Sequence, residues 1–287
     1  MPPYIGRFAP SPSGSLHFGS LVAALGSYLR ARSMQGQWLV RMEDLDPPRE
    51  VKGAADDILH TLTAYGLHWD GSVLYQSQRH QAYQACIEEL LNTQQAYFCH
   101  CSRKQIQAMG GVYDGRCRHR DIPFIDGAIR VNNSVKVSEF NDQLKGRVQV
   151  DAAFGGEDFI IKRSDGLYAY QLAVVLDDAY QGITEVVRGS DLLEASCRQI
   201  SLYQLFGLPE PKWLHLPLAC ASQGFKLSKQ NHATPIDKLR PQPSLQAALA
   251  FLGQAAVDYD SHVENMLMQA VSQFTLDTIP TQSEILI

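Results

Sequence analysis

Residues 4–65 set out a strand, a loop, a helix, a second strand and a second helix, and this order leaves few ways to close a core. Tyr4–Phe8 is a short apolar run. The loop Ala9–Gly19 carries two prolines, three serines and two glycines. Leu21–Met34 has apolar residues at helical spacing. Trp38–Met42 reads as the next strand, closed by Pro47-Pro48. Ala54–Tyr65 is helical, with Ile58, Leu62 and Tyr65 on one face, and Ala82–Leu91 is a further helix. A strand that returns through a helix to another strand makes a parallel pair, and parallel sheets need cover on both faces.

The same alternation returns later. Ile183–Arg188 is a strand, Leu192–Phe206 a helix and Leu214–Leu218 a strand. Asp158–Arg163 has strand character before the turn Ser164-Asp165-Gly166, and Leu172–Asp177 is apolar enough to be buried. Between the halves, Tyr97–Arg120 crowds Cys, His, Gly and Arg together, marking an insertion that runs to about Val150. Ser244–Leu252 and Val263–Phe274 read as two amphipathic helices. The sequence thus predicts an α/β fold: a Rossmann-type doubly wound parallel sheet with an inserted subdomain and a short helical C-terminal region. The division is 1–96 and 151–230 for the halves of the sheet, 97–150 for the insertion and 231–287 for the end. Ligands of such sheets bind beyond the carboxyl ends of the strands.

Charge and hydropathy exclude some functions. No apolar run approaches the ~18 residues of a membrane span, and MPPYIGRFAPSPSG has no signal-peptide core. A cytoplasmic monomer is expected. A net charge of −5 argues against coating nucleic acid by bulk charge, though not against a local basic face. Lys145, Arg147, Lys162 and Arg163 are candidates for one, but taken alone they fit a solvated loop face better. Of the six cysteines, Cys86, Cys197 and Cys220 fit small core positions, whereas Cys99, Cys101 and Cys117 crowd into nineteen residues.

Three groups of residues carry chemistry. The loop from Arg7 to Ser20 leaves a strand and enters a helix, so its N–H groups form a phosphate cradle. His17 would add a donor near the α-phosphate, and Gly19 would admit a base or ribose against the backbone. Lys226-Leu227-Ser228-Lys229-Gln230 offers two lysines to neutralise charge on a pentavalent phosphorus. Arg7 and Arg188 end strands on the crevice side and suit planar carboxylates. Glu43 could take an ammonium and Tyr170 a hydroxyl contact. Taken singly, Glu43 fits an ion pair with Arg41 or Arg49, and Arg188 one with Asp191. The thiols of Cys99, Cys101 and Cys117 can hold a tetrahedral zinc with a fourth ligand from Tyr113, His100 or His119. Metal chemistry alone points to a histidine.

In order and separation, His17-Phe18-Gly19-Ser20 and Lys226–Gln230 resemble the HIGH and KMSKS elements of class I aminoacyl-tRNA synthetases. Ser20, Leu227 and Gln230 depart from those patterns. Arg7–Gly14, Val40–Asp46, Tyr170–Ala173 and Val187–Leu193 resemble segments of glutamyl-tRNA synthetase. The resemblance implies a glutamate pocket of Arg7, Phe8, Ala9, Pro10, Ser11, Glu43, Tyr170 and Arg188. It also implies ATP contacts from His17, Gly19 and Lys229, catalysis by His17, Lys226 and Lys229, and Mg²⁺ accompanying ATP. A pocket that pairs cations with both carboxylates would reject glutamine. Related enzymes share the C-x-C…Y-x₃-C spacing, which implies one structural zinc held by Cys99, Cys101, Tyr113 and Cys117. Only 57 residues follow Gln230, which leaves no room for an anticodon-binding domain. In this the sequence is similar to the glutamyl-queuosine tRNA(Asp) synthetase family, which activates glutamate without tRNA and attaches it to queuosine in the anticodon of tRNA(Asp). The competing expectations are a short glutamyl-tRNA synthetase charging the 3′ end of tRNA(Glu), and a non-catalytic paralogue that binds tRNA or glutamate.

Overall fold

A computed structural model describes residues 3–120, 127–222, 224–226 and 234–287. In chain order its elements begin with β1 (Ile5–Phe8), α1 (Phe18–Ser33), β2 (Gln37–Met42), α2 (Ala54–Ala64), β3 (Leu74–Tyr75) and α3 (His80–Asn92). Next come β4 (Ala96–Cys99), α4 (Arg103–Ala108), β5 (Ala128–Val131), β6 (Glu139–Asp142), β7 (Gly146–Gln149), α5 (Ala152–Gly156) and β8 (Ile160–Lys162). The remainder is α6 (Tyr170–Tyr180), β9 (Glu185–Gly189), α7 (Ser196–Leu205), β10 (Lys212–Leu216), β11 (Leu218–Ser222), β12 (Phe225–Lys226), α8 (Pro241–Phe251), α9 (Val263–Ser272) and β13 (Glu284–Leu286).

β1, β2 and β3 form one parallel sheet. A second sheet runs β7-β6-β10-β9, parallel from β6 to β9 with β7 antiparallel at the edge, and β12-β11-β13 and β4-β5-β8 form two smaller ones. The first two meet at β1 and β9, where the Thr184 amide donates to the Ile5 carbonyl at 2.9 Å. Strand alternation assigns each residue to a layer. Phe8, Trp38, Val40, Met42, Val187, Leu214 and Leu216 pack with α1, α2, α8 and α9. Their neighbours Ile5, Leu39, Val186 and Trp213 pack with α3, α6 and α7. Arg7, Arg41, Arg188 and His215 follow the second set by period two, so all four side chains leave the sheet on the α6 face. On the other face α1 lies so close that a Cβ on Gly26 would sit 2.5 Å from Leu216 Cδ1.

The structure differs from the sequence reading in several places. α1 starts at Phe18, a turn before the apolar period begins, because His17 caps it. Leu172–Asp177 is buried as expected, within α6, but the segment expected as one helix from Leu192 is a 3₁₀ turn followed by α7. Strand pairing crosses the boundary expected at 150 in both directions. β6 and β7 join the main sheet through β10, while β8 pairs with β5 beside β4. The C-terminal region is not purely helical: α8 and α9 pack on α1, and β13 runs parallel to β11. The four basic residues do not form a patch. Lys145 donates to the Thr281 and Gln282 carbonyls, Arg147 pairs with Glu139, Lys162 with Gln84 and Arg163 with Asp165. No helix among the described residues is long and apolar enough to cross a membrane.

α1 is pinned to β2 by one buried hydrogen bond, from Trp38 Nε1 to Ser27 Oγ at 2.9 Å. Ser27→Ala strands the indole N–H and is expected to cost about 1–3 kcal/mol, read as a lower urea midpoint by tryptophan fluorescence.

Candidate active site

β1 ends into the loop that reaches α1, and that loop is braced across the end of β2. The Glu43 amide donates to the Pro10 carbonyl at 3.0 Å, and the Val51 amide to the Pro12 carbonyl at 3.0 Å. The bracing leaves a cavity of about 450 Å³ at the seam of β1 and β9. Arg7, Phe8, Ala9, Ser11, Glu43, Tyr170 and Arg188 all line it. Pro10 contributes its carbonyl to the brace instead.

The two arginines of the expected pocket differ. Arg7 gives Nε and Nη2 to the two oxygens of Asp178 at 3.0 and 3.3 Å. Arg41 donates to the same carboxylate at 2.7 Å and reaches Glu43 at 3.3 Å. Burial alone would push Asp178 up, but Arg41 and Arg7 hold it below the usual carboxylate range. Burial pushes Glu43 up against the pull of Arg41 and Arg7. The pair of Glu43 with Arg41 that sequence allowed is therefore formed, and Glu43 still faces the cavity.

Arg188 is 6% exposed, and among the described residues no carboxylate comes within ion-pair distance of it. Its partners are neutral: Nε donates to His215 Nε2 at 3.1 Å, Nη1 to Tyr170 Oη at 3.4 Å and Nη2 to Ser196 Oγ at 2.8 Å. The alternative pairing with Asp191 is not made. Arg7 and Arg41 pair with acids here, whereas Arg188 has no carboxylate in direct contact among the described residues, which leaves its charge available to an anionic ligand. Burial lowers the Arg188 pKa, against the pull of Tyr170, Asp178 and Glu43.

A second cavity of about 200 Å³ adjoins the first and shares Ala23, Gly189 and Asp191 with it. His17 and Gly19 line it, with Leu216–Ala219 as its other wall. His17 Nδ1 accepts the Ser20 amide at 3.4 Å, which in the neutral ring puts the proton on Nε2 as a donor. α1 has no acidic residue in its first turn, so its N-terminal dipole is left for a bound anion. A Cβ on Gly189, at the shared wall, would lie 2.8 Å from Asp191 Oδ1 and Leu218 Cδ2, so a side chain there would have to displace both. The chain that follows the second signature segment meets the first here. His17 bridges Pro235, and the Ile236 amide donates to the Leu16 carbonyl at 3.1 Å. Lys226 ends β12. Lys229 lies outside the described residues.

The Cys99, Cys101 and Cys117 sulfurs lie within 4.8 Å of one another. Tyr113 is buried among them and its hydroxyl accepts the Cys117 amide at 2.8 Å. His100 and His119 are exposed and stand outside the cluster, so the histidine favoured by metal chemistry alone has no support. Burial and the neighbouring sulfurs push the Cys101 thiol up to about 12. Arg130 donates to Cys99 Sγ at 3.3 Å. The three thiols could hold a metal ion. Of the other cysteines, Cys197 and Cys220 are buried and Cys86 half-buried.

Residues 5–275 match the family model described as the catalytic domain of class I tRNA synthetases for E and Q. The glutamyl-Q tRNA(Asp) synthetase of Shewanella oneidensis is 69% identical over 285 residues, which are 99% of this chain and 95% of that protein. The chain belongs to the glutamyl-Q tRNA(Asp) synthetase family. The Escherichia coli glutamyl-Q tRNA(Asp) synthetase is 57% identical over 279 residues, covering 96% of this chain and 91% of its own. Among solved structures, the glutamate-tRNA synthetase of Elizabethkingia anophelis superposes with a TM-score of 0.80 at 23% identity. That match covers 99% of this chain and 68% of the other, and it shows the fold alone. The chain is thus a ligase-type enzyme with the class I synthetase catalytic fold, α/β with mostly parallel sheets.

Sequence reasoning missed Asp178, which holds Arg7 and Arg41, and His215, which meets Arg188. A signal was present for each: adjacent acids inside the apolar run Leu172–Tyr180, and a lone histidine inside Trp213-Leu214-His215-Leu216. Buried groups of this kind require partners.

His215 also sets an acid limit. Burial lowers its pKa from 6.5 to about 4. Below pH 6.5 the unfolded chain takes a proton that the folded one refuses. This contribution is intact above about pH 6.5 and is lost as pH falls toward 4, by about 3 kcal/mol. Urea midpoints at pH 7.5 and 5 are expected to fall further in the wild type than in His215→Gln.

Proposed function

We propose that this chain activates L-glutamate with ATP, without tRNA, and transfers the glutamate to queuosine in the anticodon of tRNA(Asp). The observation that carries the first half is Arg188, a buried guanidinium with only neutral hydrogen-bond partners, lining the larger of two adjoining cavities. The larger cavity takes glutamate: Arg188 and Tyr170 face a carboxylate, Glu43 takes the ammonium, and Arg7, Phe8, Ala9, Pro10 and Ser11 shape the entrance. Glutamine brings one carboxylate fewer and leaves the remaining charge unmatched, so it is rejected. The smaller cavity takes ATP, with Gly19 against the nucleoside and His17 and the start of α1 at the phosphates.

An oxygen of the substrate α-carboxylate attacks the α-phosphorus, the bond to pyrophosphate breaks, and glutamyl-adenylate forms. A queuosine hydroxyl then attacks the acyl carbon and AMP leaves. His17, Lys226 and Lys229 stabilise the phosphate charge. Mg²⁺, when bound with ATP, supplies further charge neutralisation. Positioning by the chain carries the rate, since the substrate is itself the nucleophile. The queuosine half rests on the names and identities of the relatives. An anticodon loop also offers unstacked bases that a cleft can receive.

In pyrophosphate exchange, Arg188→Ala is expected to raise the glutamate KM about 100-fold or more, the effect of removing a buried charged hydrogen-bond partner. Lys229→Ala is expected instead to slow exchange about 100-fold while glutamate still binds. Near-normal exchange in either variant counts against the assignment. With labelled glutamate and queuosine-bearing tRNA(Asp), label is expected in the anticodon fragment after nuclease digestion. Label at a 3′ end would favour the tRNA(Glu)-charging alternative.

Cys99, Cys101, Tyr113 and Cys117 would hold one structural zinc, fastening the insertion of about residues 97–150 to which we assign RNA contacts. Elemental analysis is expected to return one zinc per chain and much less for Cys117→Ser. A metal-free, fully active wild type would end this assignment.

A further inference from the structure

Arg188 and His215 face each other directly in the register of β9 and β10. His215 is 0% exposed, and its Nδ1 lies 2.7 Å from Asp142 Oδ2 on the neighbouring strand β6. The other Asp142 oxygen is held by the Leu144 and Lys145 amides, each at 2.9 Å. An ionised carboxylate only accepts, so the proton of the neutral imidazole sits on Nδ1. Nε2 is then an acceptor, as Arg188 Nε requires at 3.1 Å. Ser196 Oγ is 3.0 Å from the same Nε2, which completes a Ser-His-Asp constellation. It is no nucleophile: Ser196 is 0% exposed, accepts from Arg188 and back-bonds to the Leu192 carbonyl at 3.1 Å.

What the constellation does is aim an arginine without neutralising it. A carboxylate at position 215 would fix the guanidinium equally well, but would cancel the charge that a substrate carboxylate needs. The imidazole puts the width of a ring between Arg188 and the Asp142 charge. We propose that Asp142 and His215 are positioning residues for glutamate recognition, holding the Arg188 fork in place through one fixed imidazole tautomer. This rests on the reading that the larger cavity binds glutamate.

Asp142→Asn tests it. The amide oxygen keeps the Leu144 and Lys145 contacts, so the amide nitrogen faces Nδ1 and the ring takes the other tautomer. Two donors then oppose each other at Arg188, as happens when the orienting carboxylate of a catalytic histidine becomes an amide. The expected result is a 10- to 100-fold rise in the glutamate KM, with the ATP KM and the rate at saturating glutamate changed less than about threefold. NMR of the ring nitrogens is expected to show the proton moved to Nε2. His215→Phe should show the same KM split, and His215→Gln, which keeps a neutral acceptor, should recover part of the loss. Wild-type exchange is measured first, and its absence would remove the glutamate reading itself. With the wild type active, an unchanged glutamate KM in folded Asp142→Asn overturns only the positioning role. So does a parallel rise in both KM values. If Asp142→Asn does not fold, equal glutamate KM values for His215→Phe and His215→Gln overturn it.

Discussion

The Asp178 carboxylate is the point on which the candidate site turns. It lies on α6 and is shared by Arg7 from β1 and Arg41 from β2. All three groups are almost fully buried. Taking such charges out of water costs several kcal/mol each, and only close, multiple hydrogen bonds offset it. Removing one partner would leave the others charged and dry, at a cost of about 3–5 kcal/mol. The carboxylate thus does more than stabilise. It fixes α6, which carries Tyr170 at its start, against the strands that carry Arg7 and Glu43. The cavity has its shape because those strands cannot move without breaking this pair.

The same chemistry divides labour among the arginines. Arg7 and Arg41 are matched by acids within the protein and serve mainly to build. Arg188 sits on the same face of the sheet, yet its partners are an imidazole, a phenol and a hydroxyl. A folded protein keeps an unmatched buried cation at a loss, and the loss is recovered only when an anion arrives. Perturbed, desolvated charges in a cleft are a mark of function for this reason.

Much of this was legible in the sequence because it depends on local order. Strand-loop-helix grammar located β1, α1 and β2. Arg7 and Arg188 read as strand ends on the crevice side; that Arg41 and His215 share their face follows from period two once the strands are placed. The three thiols stand close enough in sequence to be recognised as a cluster. What could not be read was partner choice. Arg188 had Asp191 three residues away and took His215, because the sheet register sets them opposite each other. Asp142 seemed to belong to the insertion, but β6 pairs with β10 and delivers it to the main sheet. The start of α1 was misplaced because its cap is a histidine, outside the usual Ser, Thr, Asp and Asn set.

The chain also brings together segments that are far apart in sequence at the α1 N-terminus. Pro235 bridges His17, and β13 runs beside β11, whose hairpin partner β12 leads into the Lys226–Lys229 segment. The Gly224 amide donates to Glu284 at 3.0 Å, so the C-terminal strand holds this hairpin from outside. In the proposed reading, the substrate α-carboxylate and a phosphate at the start of α1 would meet near the wall that the two cavities share, at Ala23, Gly189 and Asp191. A Cβ on Gly189 would lie 2.8 Å from the side-chain ends of Asp191 and Leu218, so a larger residue there would have to displace both.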